Sequence, residues 1–344
     1  MLSWAAALAI VDGSSGFTRA LLDPESYLSD VTAVGDDPLG YLRHFTERAG
    51  EHSIATRGHP PAPVLLLWLV QKAGLTDHLA LGLVFTAIGA LAVPLTLMAF
   101  KDACGETAAR RAAPLLILAT SAVWLAVSMD AVVATIVAAM IVAGGRASRA
   151  RAWRAGGWAV LAGMLLGTAA LFSYAAAWLG LSIVCLYFAR RRAALNIASG
   201  IGALIPVITV WLVGFSWMDG LTSAHLDFTT RVEPARPALA WAAISIVALL
   251  LAAGPGLVAS LRKSRTTPGW PFLVGAGVAV VFSIVAGLAR GGVEHAWLPY
   301  FAWLCVAATA PEERGGPIPP TPLLLTAVGA LTAIVVEAVL ATPW

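Results

Sequence analysis

Long apolar blocks, almost free of charge inside, recur along this 344-residue chain, and they decide what solvent it folds in. They fall at 79–100, 112–129, 131–145, 156–171, 173–189, 194–216, 238–261, 270–289, 296–310 and 321–342. A bilayer core takes about 20 helical residues, with a range of about 17–25. A water-soluble core cannot absorb so many helices that are apolar all round. Composition agrees: 12% of residues are charged, against roughly 25% in a soluble domain, and mean hydropathy is +0.82. The expected fold is all-α, a polytopic transmembrane bundle of about 11 spans. A nucleic-acid binder, a disulfide-framed secreted domain and a cytosolic enzyme are excluded.

Two runs are shorter. Met1–Val11 reads as a span whose start is truncated, with no basic region or cleavage site of a signal peptide. Pro61–Gly74 carries Gln71 and Lys72 and has the length of a re-entrant or interfacial helix. Charge bias sets the arrangement. If 1–11 runs outward and 61–74 does not cross, the cytoplasmic loops hold Lys101, Arg110, Arg111, Arg146, Arg149, Arg151, Arg154, Arg190, Arg191, Arg192, Arg262, Lys263, Arg265 and Arg314. That is 14 of the 22 basic residues, in short loops where the bias is informative. The chain then reads as one transmembrane domain, 1–344. Residues 12–60 form an extracytoplasmic first loop, 61–74 a non-crossing apolar segment, and 217–237 and 290–295 further outer loops. All six histidines and 14 of the 19 acidic residues fall on that outer side. Only Asp102, Glu106, Glu312 and Glu313 remain in cytoplasmic loops.

The three cysteines, Cys104, Cys185 and Cys305, avoid the oxidising side, so no disulfide framework is expected. No zinc, dinucleotide or P-loop motif is present, and no repeat relates the two halves. The acids and histidines are compatible with a divalent metal, though no ligand spacing specifies one.

The outer loops carry the polar chemistry. Loop one clusters Asp23, Glu25, Asp30, Asp36 and Asp37 ahead of Pro38–Ala49, where Leu39, Leu42 and Phe45 suit a short amphipathic helix on the membrane surface. Asp130, in AVSMDAVVA, sits at a helix junction where an unpaired carboxylate is costly. It reads either as the N-cap of the following helix or as a functional acid. Loop 217–237 offers Asp219, His225, Asp227, Arg231, Glu233 and Arg236. Loop 290–295 offers Arg290, Glu294 and His295. Arg290 with His295 could clamp a phosphate through charge-assisted hydrogen bonds, or Arg290 could be an interfacial anchor.

In order and sidedness this pattern resembles the GT-C superfamily, the polytopic glycosyltransferases that use polyprenyl-phosphate-linked sugars. LLDPESYLSD is similar to its acidic first-loop motif. RGHPPAPVLLLWL is similar to the His-Pro-Pro segment of lipid A aminoarabinose transferases and protein mannosyltransferases. A basic loop, Ala119-Thr120-Ser121 and an outer Asp130 follow, and GGVEHAWLPYFAWL resembles an outer motif of actinobacterial members. His295 stands where the family carries an arginine, and Pro24 splits Asp23 from Glu25 where the best-known members have an adjacent acidic pair.

The resemblance implies inverting transfer of a hexose or pentose from a polyprenyl-phosphate donor to a lipid or glycan acceptor. The reaction would take place on the extracytoplasmic face of the cell membrane, in an actinobacterial cell envelope. Asp30, Asp23 or Glu25 is then the expected base and Asp130 the residue that orients acceptor or base. His59, Arg231, Arg290, Glu294 and His295 would bind substrate. An inactive scaffold that binds a partner, or a lipid or small-molecule transporter, are the alternatives. A transporter calls for ionisable groups deep in several spans, and these spans are nearly free of them.

Overall fold

The computed structural model describes residues 1–11, 13–261, 266–311, 316–317 and 322–339. Asp12, Arg262, Lys263, Arg265, Glu312, Glu313 and Arg314, all used in the charge count, lie outside the described residues.

Every regular element among those residues is helical. Four helices are long and apolar enough to cross a bilayer unaided: His78–Cys104, Met129–Arg149, Ala152–Phe172 and Leu195–Leu212. A fifth arises if Trp217–Ala235 and Ala238–Ala253, bent by 98° at their junction, are one broken span. The remaining apolar runs form shorter helices, among them Tyr174–Ala189, Trp270–Val285, Leu298–Ala308 and Leu323–Val339. Unbroken spans are therefore fewer than apolar runs, and the sequence supplies the breaks. Run 238–261 stops at Gly254, whose φ of +65° ends the first helix, and Pro255 starts the next, the Gly-then-Pro stop expected of helix termini. Run 112–129 is interrupted after Ile117, where Ala119 turns extended before a 3₁₀ turn at Thr120–Trp124.

Met129–Arg149 is the buried centre of the bundle. Its alanines Ala131, Ala138, Ala143 and Ala147 are almost fully covered, because small side chains let neighbouring backbones approach. Ala152–Phe172 packs on Leu195–Leu212 by the same means. A Cβ on Gly163 would sit 1.9 Å from the Ser199 carbonyl oxygen, and one on Gly202 would sit 2.2 Å from that of Val160. Ser199 Oγ donates to the Ala159 carbonyl at 2.9 Å across the same contact. The other side of Leu195–Leu212 exposes Ile197, Leu204, Trp211 and Leu212, an apolar face of the kind that contacts lipid.

Polar side chains gather at two opposite ends. One holds Lys101, Asp102, Glu106, Arg149, Arg190 and Arg192, linked by short contacts. The other is built on the first loop, which has an apolar core of its own. Phe17, Leu21, Val31, Val34, Tyr41, Leu42 and Phe45 are buried there with Val64, Leu67, Leu81 and Phe85. The loop is a chain of short helices, Arg19–Leu22, Val31–Val34, Pro38–His44 and Ile54–Arg57. Asp37 caps the third by accepting from the Gly40 amide at 2.8 Å, with Pro38 in the first turn, as helix starts favour. The amphipathic segment 38–49 thus turns Tyr41, Leu42 and Phe45 into protein, where a surface helix lying on lipid was expected.

The apolar segment after the first loop forms Ala62–Lys72, only 11 residues. Both its ends touch the loop. Lys72 pairs with Asp36 at 2.5 Å, Trp68 Nε1 donates to the Gly35 carbonyl at 2.8 Å, and its start follows His59 after Pro60 and Pro61.

Candidate functional site

The first-loop acids are largely spent on holding the loop together. Buried Asp30 accepts from the Ser53 amide at 3.0 Å and from Ser53 Oγ at 2.7 Å, with His52 Nδ1 4.0 Å away. Ser53 is in turn the N-cap of Ile54–Arg57. Glu25 accepts from the Ile54 amide at 2.7 Å, satisfying another free donor of that helix start. Asp23 closes a local turn by accepting from the Glu25 amide at 2.7 Å. The acidic motif and the segment leading to His-Pro-Pro, 23 to 29 residues apart in sequence, are therefore one folded unit.

That unit presents Tyr27 and His59 to Asp130. The two rings meet edge-on at 5.7 Å between centroids. His59 Nδ1 donates to the Ala55 carbonyl at 2.8 Å, which leaves Nε2 as the ring nitrogen outside that bond. His59 lies within electrostatic reach of Asp130. Burial first, and the negative charge of Asp130 second, hold the Tyr27 phenol well above its ordinary pKa. Tyr300, whose hydroxyl donates to the Ala175 carbonyl at 2.7 Å, borders the same carboxylate.

Asp130 is not the N-cap. Ser128 takes that role, accepting from the Asp130 amide at 3.2 Å. Asp130 occupies the first turn of Met129–Arg149, where the helix dipole favours negative charge. It is half-buried, and its carboxylate accepts no hydrogen bond from the described residues. The turn before it is strained: Val127 has φ +58°, a left-handed conformation a β-branched residue rarely adopts. Thr86 Oγ1 holds it by accepting from the Val127 amide at 3.0 Å while donating to the Gly82 carbonyl at 2.7 Å. The Thr86 and Val127 contribution was missed in the sequence; a threonine in an apolar helix was its one signal.

Arg290 does not face an open phosphate site. Its Nε donates to Gly287, its Nη1 to the carbonyls of Glu233 and Arg236, and its Nη2 lies 2.8 Å from Glu233 Oε1. With 7% exposure it is a knot between loops 217–237 and 290–295, reinforced by Arg236 on its own carbonyl. His295 follows in the short helix Val293–Ala296, and desolvation lowers its pKa to about 4, so it is uncharged at neutral pH. Glu294 is half-buried in the same turn. Charge instead accumulates where Asp227 meets two arginines. Arg57 Nε is 3.5 Å from its carboxylate and Arg231 Nε 3.1 Å, one positive charge in excess, two residues before His59. Among the described residues no three His, Cys, Asp or Glu side chains gather where a metal ion would sit, so no metal ligand is assigned.

No family model and no curated protein sequence matches the chain. Two solved structures do. ArnT from Cupriavidus metallidurans bound to undecaprenyl phosphate superposes with a TM-score of 0.54 at 18% identity, over 89% of this chain and 58% of that one. The same protein in the apo state gives a TM-score of 0.50 at 18% identity, over 80% and 54%. ArnT belongs to the GT-C superfamily.

The chain has a GT-C-like fold.

At this identity the likeness is one of fold, and the chain spans little more than half the length of the ArnT structures. The GT-C-like frame and the apolar helices together make it a membrane protein.

Proposed function

We propose that the chain is a GT-C-type glycosyltransferase that moves a hexose or pentose from a polyprenyl-phosphate donor to a lipid or glycan acceptor. The reaction is placed on the extracytoplasmic face, at the first-loop end. The observation that carries this reading is Asp130. It is a half-buried carboxylate that accepts no hydrogen bond among the described residues, within electrostatic reach of Tyr27 and His59, in a fold shared with a protein seen bound to undecaprenyl phosphate.

Transfer needs a base to take the acceptor's hydroxyl proton as its oxygen attacks the anomeric carbon. As that bond forms, the sugar–phosphate bond breaks and the lipid phosphate leaves with its electron pair. Attack from the face opposite the phosphate inverts the anomeric centre. Asp130 is the base in this scheme, since its oxygens are uncommitted, whereas Asp30 and Glu25 are engaged with the 53–55 backbone. His59 and Tyr27 orient the acceptor. Arg57 and Arg231, sharing Asp227, supply the surplus positive charge that a departing phosphate requires. Arg290, His295 and Glu294 keep the 290–295 wall in place.

The test is turnover by the purified full chain, reconstituted in lipid, with polyprenyl-phosphate sugars and a panel of membrane glycan acceptors. Release of polyprenyl phosphate coupled to sugar transfer supports the assignment. A wild-type protein that neither binds nor consumes any such donor removes it.

A further inference from the structure

At the opposite end, the turn between Met129–Arg149 and Ala152–Phe172, both 21 residues long, borders an open cleft of about 460 Å³. Arg146, Arg149, Arg151 and Arg154 line it with Asp102 and Trp158. A helix of this length rises roughly 31 Å, the thickness of a hydrocarbon core. With Asp130 at one boundary, the cleft falls at headgroup depth at the other.

Its charges are poorly compensated. Arg149 is paired with Asp102 at 2.9 Å. Arg146 lies over the Trp158 ring at 4.8 Å and Arg154 over Trp153 at 5.6 Å. The side chains of Arg146, Arg151 and Arg154 make no hydrogen bond or ion pair among the described residues. Ala152–Phe172 begins with no side-chain cap, so its first-turn amides open toward the same turn, which favours an anion. Trp153 is 79% exposed beside the cleft, and exposed tryptophan at the end of a span belongs in the headgroup layer.

We propose that this cleft binds the phosphate of an anionic phospholipid in the leaflet opposite the first-loop end. Arg146 and Arg154 would grip the phosphate oxygens and Arg151 the approach, while Trp153 and Trp158 set the depth. Inorganic phosphate offers the same oxygens but nothing for the tryptophans. Such a site would anchor the two central spans, and it is independent of whether Asp130 is catalytic.

Full-length protein is placed in nanodiscs of phosphatidylcholine with a minor share of phosphatidylglycerol, and the lipid retained on extraction is quantified by mass spectrometry. Phosphatidylglycerol should be enriched around the wild type. Its affinity should fall about fivefold for each arginine removed in Arg146→Gln and Arg154→Gln, and partly recover in Arg146→Lys. Arg191→Gln, an exposed arginine outside the cleft at the same end, should retain the enrichment. Three results would each overturn the proposal: no enrichment in the wild type, an equal loss in Arg191→Gln, or displacement of the lipid by inorganic phosphate alone. Unchanged unfolding midpoints confirm that the variants remain folded.

Discussion

The two polar ends of the molecule use charge in opposite ways. At the arginine-rich end, Lys101, Glu106 and Arg110 form exposed ion pairs of 2.6 to 2.9 Å, and little else depends on them. At the first-loop end, Asp30, Glu25 and Arg290 sit within or against apolar packing and are hydrogen-bonded to backbone or side-chain partners. Exposed pairs are screened by water and contribute little, whereas a buried hydrogen-bonded carboxylate is destabilising to remove. Asp130 departs from that pattern: it is partly covered, and its carboxylate accepts no hydrogen bond among the described residues. Charge that does not stabilise the fold is charge available for chemistry.

This comparison can be broken in several places. The largest effect is expected at Asp130: Asp130→Asn should lower turnover by about 10²–10⁴-fold, the usual contribution of a positioned base, with the unfolding midpoint preserved. Asp30→Ala should act in the reverse sense. It strips three acceptor contacts from Ser53 and should cost on the order of 2–3 kcal/mol of stability, seen as a lower thermal midpoint, while the protein that remains folded still turns over.

A smaller effect comes from His295. Its folded pKa, about 4, lies below the ordinary value near 6.5, so the unfolded chain binds the proton more readily. Its share of stability is complete above about pH 6.5 and drains away as pH falls toward 4. The thermal midpoint should therefore decline across that window, and less steeply in His295→Asn. Least of all should happen in Glu106→Gln. Lys101 first and Arg110 second hold this exposed carboxyl below its usual pKa, but the midpoint should not move. A large drop there would contradict the contrast between the ends.

Much of the fold could be read from the chain, and the limits are physical. Apolar runs mark where helices lie, but Gly254-Pro255 and the extended Ala119 decide which runs stay unbroken, so not every run is one continuous helix of spanning length. In the first loop the apolar spacing of Leu39, Leu42 and Phe45 signalled a helix. The loop's core could not be foreseen, because Phe17, Val31 and Phe45 meet Val64 and Leu81 only through tertiary packing. For the site, sequence placed Asp23, Glu25, Asp30, His59 and Asp130 together as candidates, and could not divide their tasks. Which carboxylate bonds to backbone and which stays open depends on Ser53, Ser128 and Thr86, whose roles are set by distance. Arg290 shows the same limit: a loop arginine beside a histidine suggests a phosphate clamp until Glu233 and two carbonyls occupy its donors.

The most direct test of the central claim sets Asp130→Asn beside Asp30→Asn, with turnover on a polyprenyl-phosphate sugar measured per folded molecule and donor affinity measured separately. The account predicts that Asp130→Asn binds donor as the wild type does and scarcely turns over, while Asp30→Asn is less stable and retains most of its rate per folded molecule. Loss of turnover in a fully folded Asp30→Asn, with Asp130→Asn active, would contradict it and return the base to the first loop.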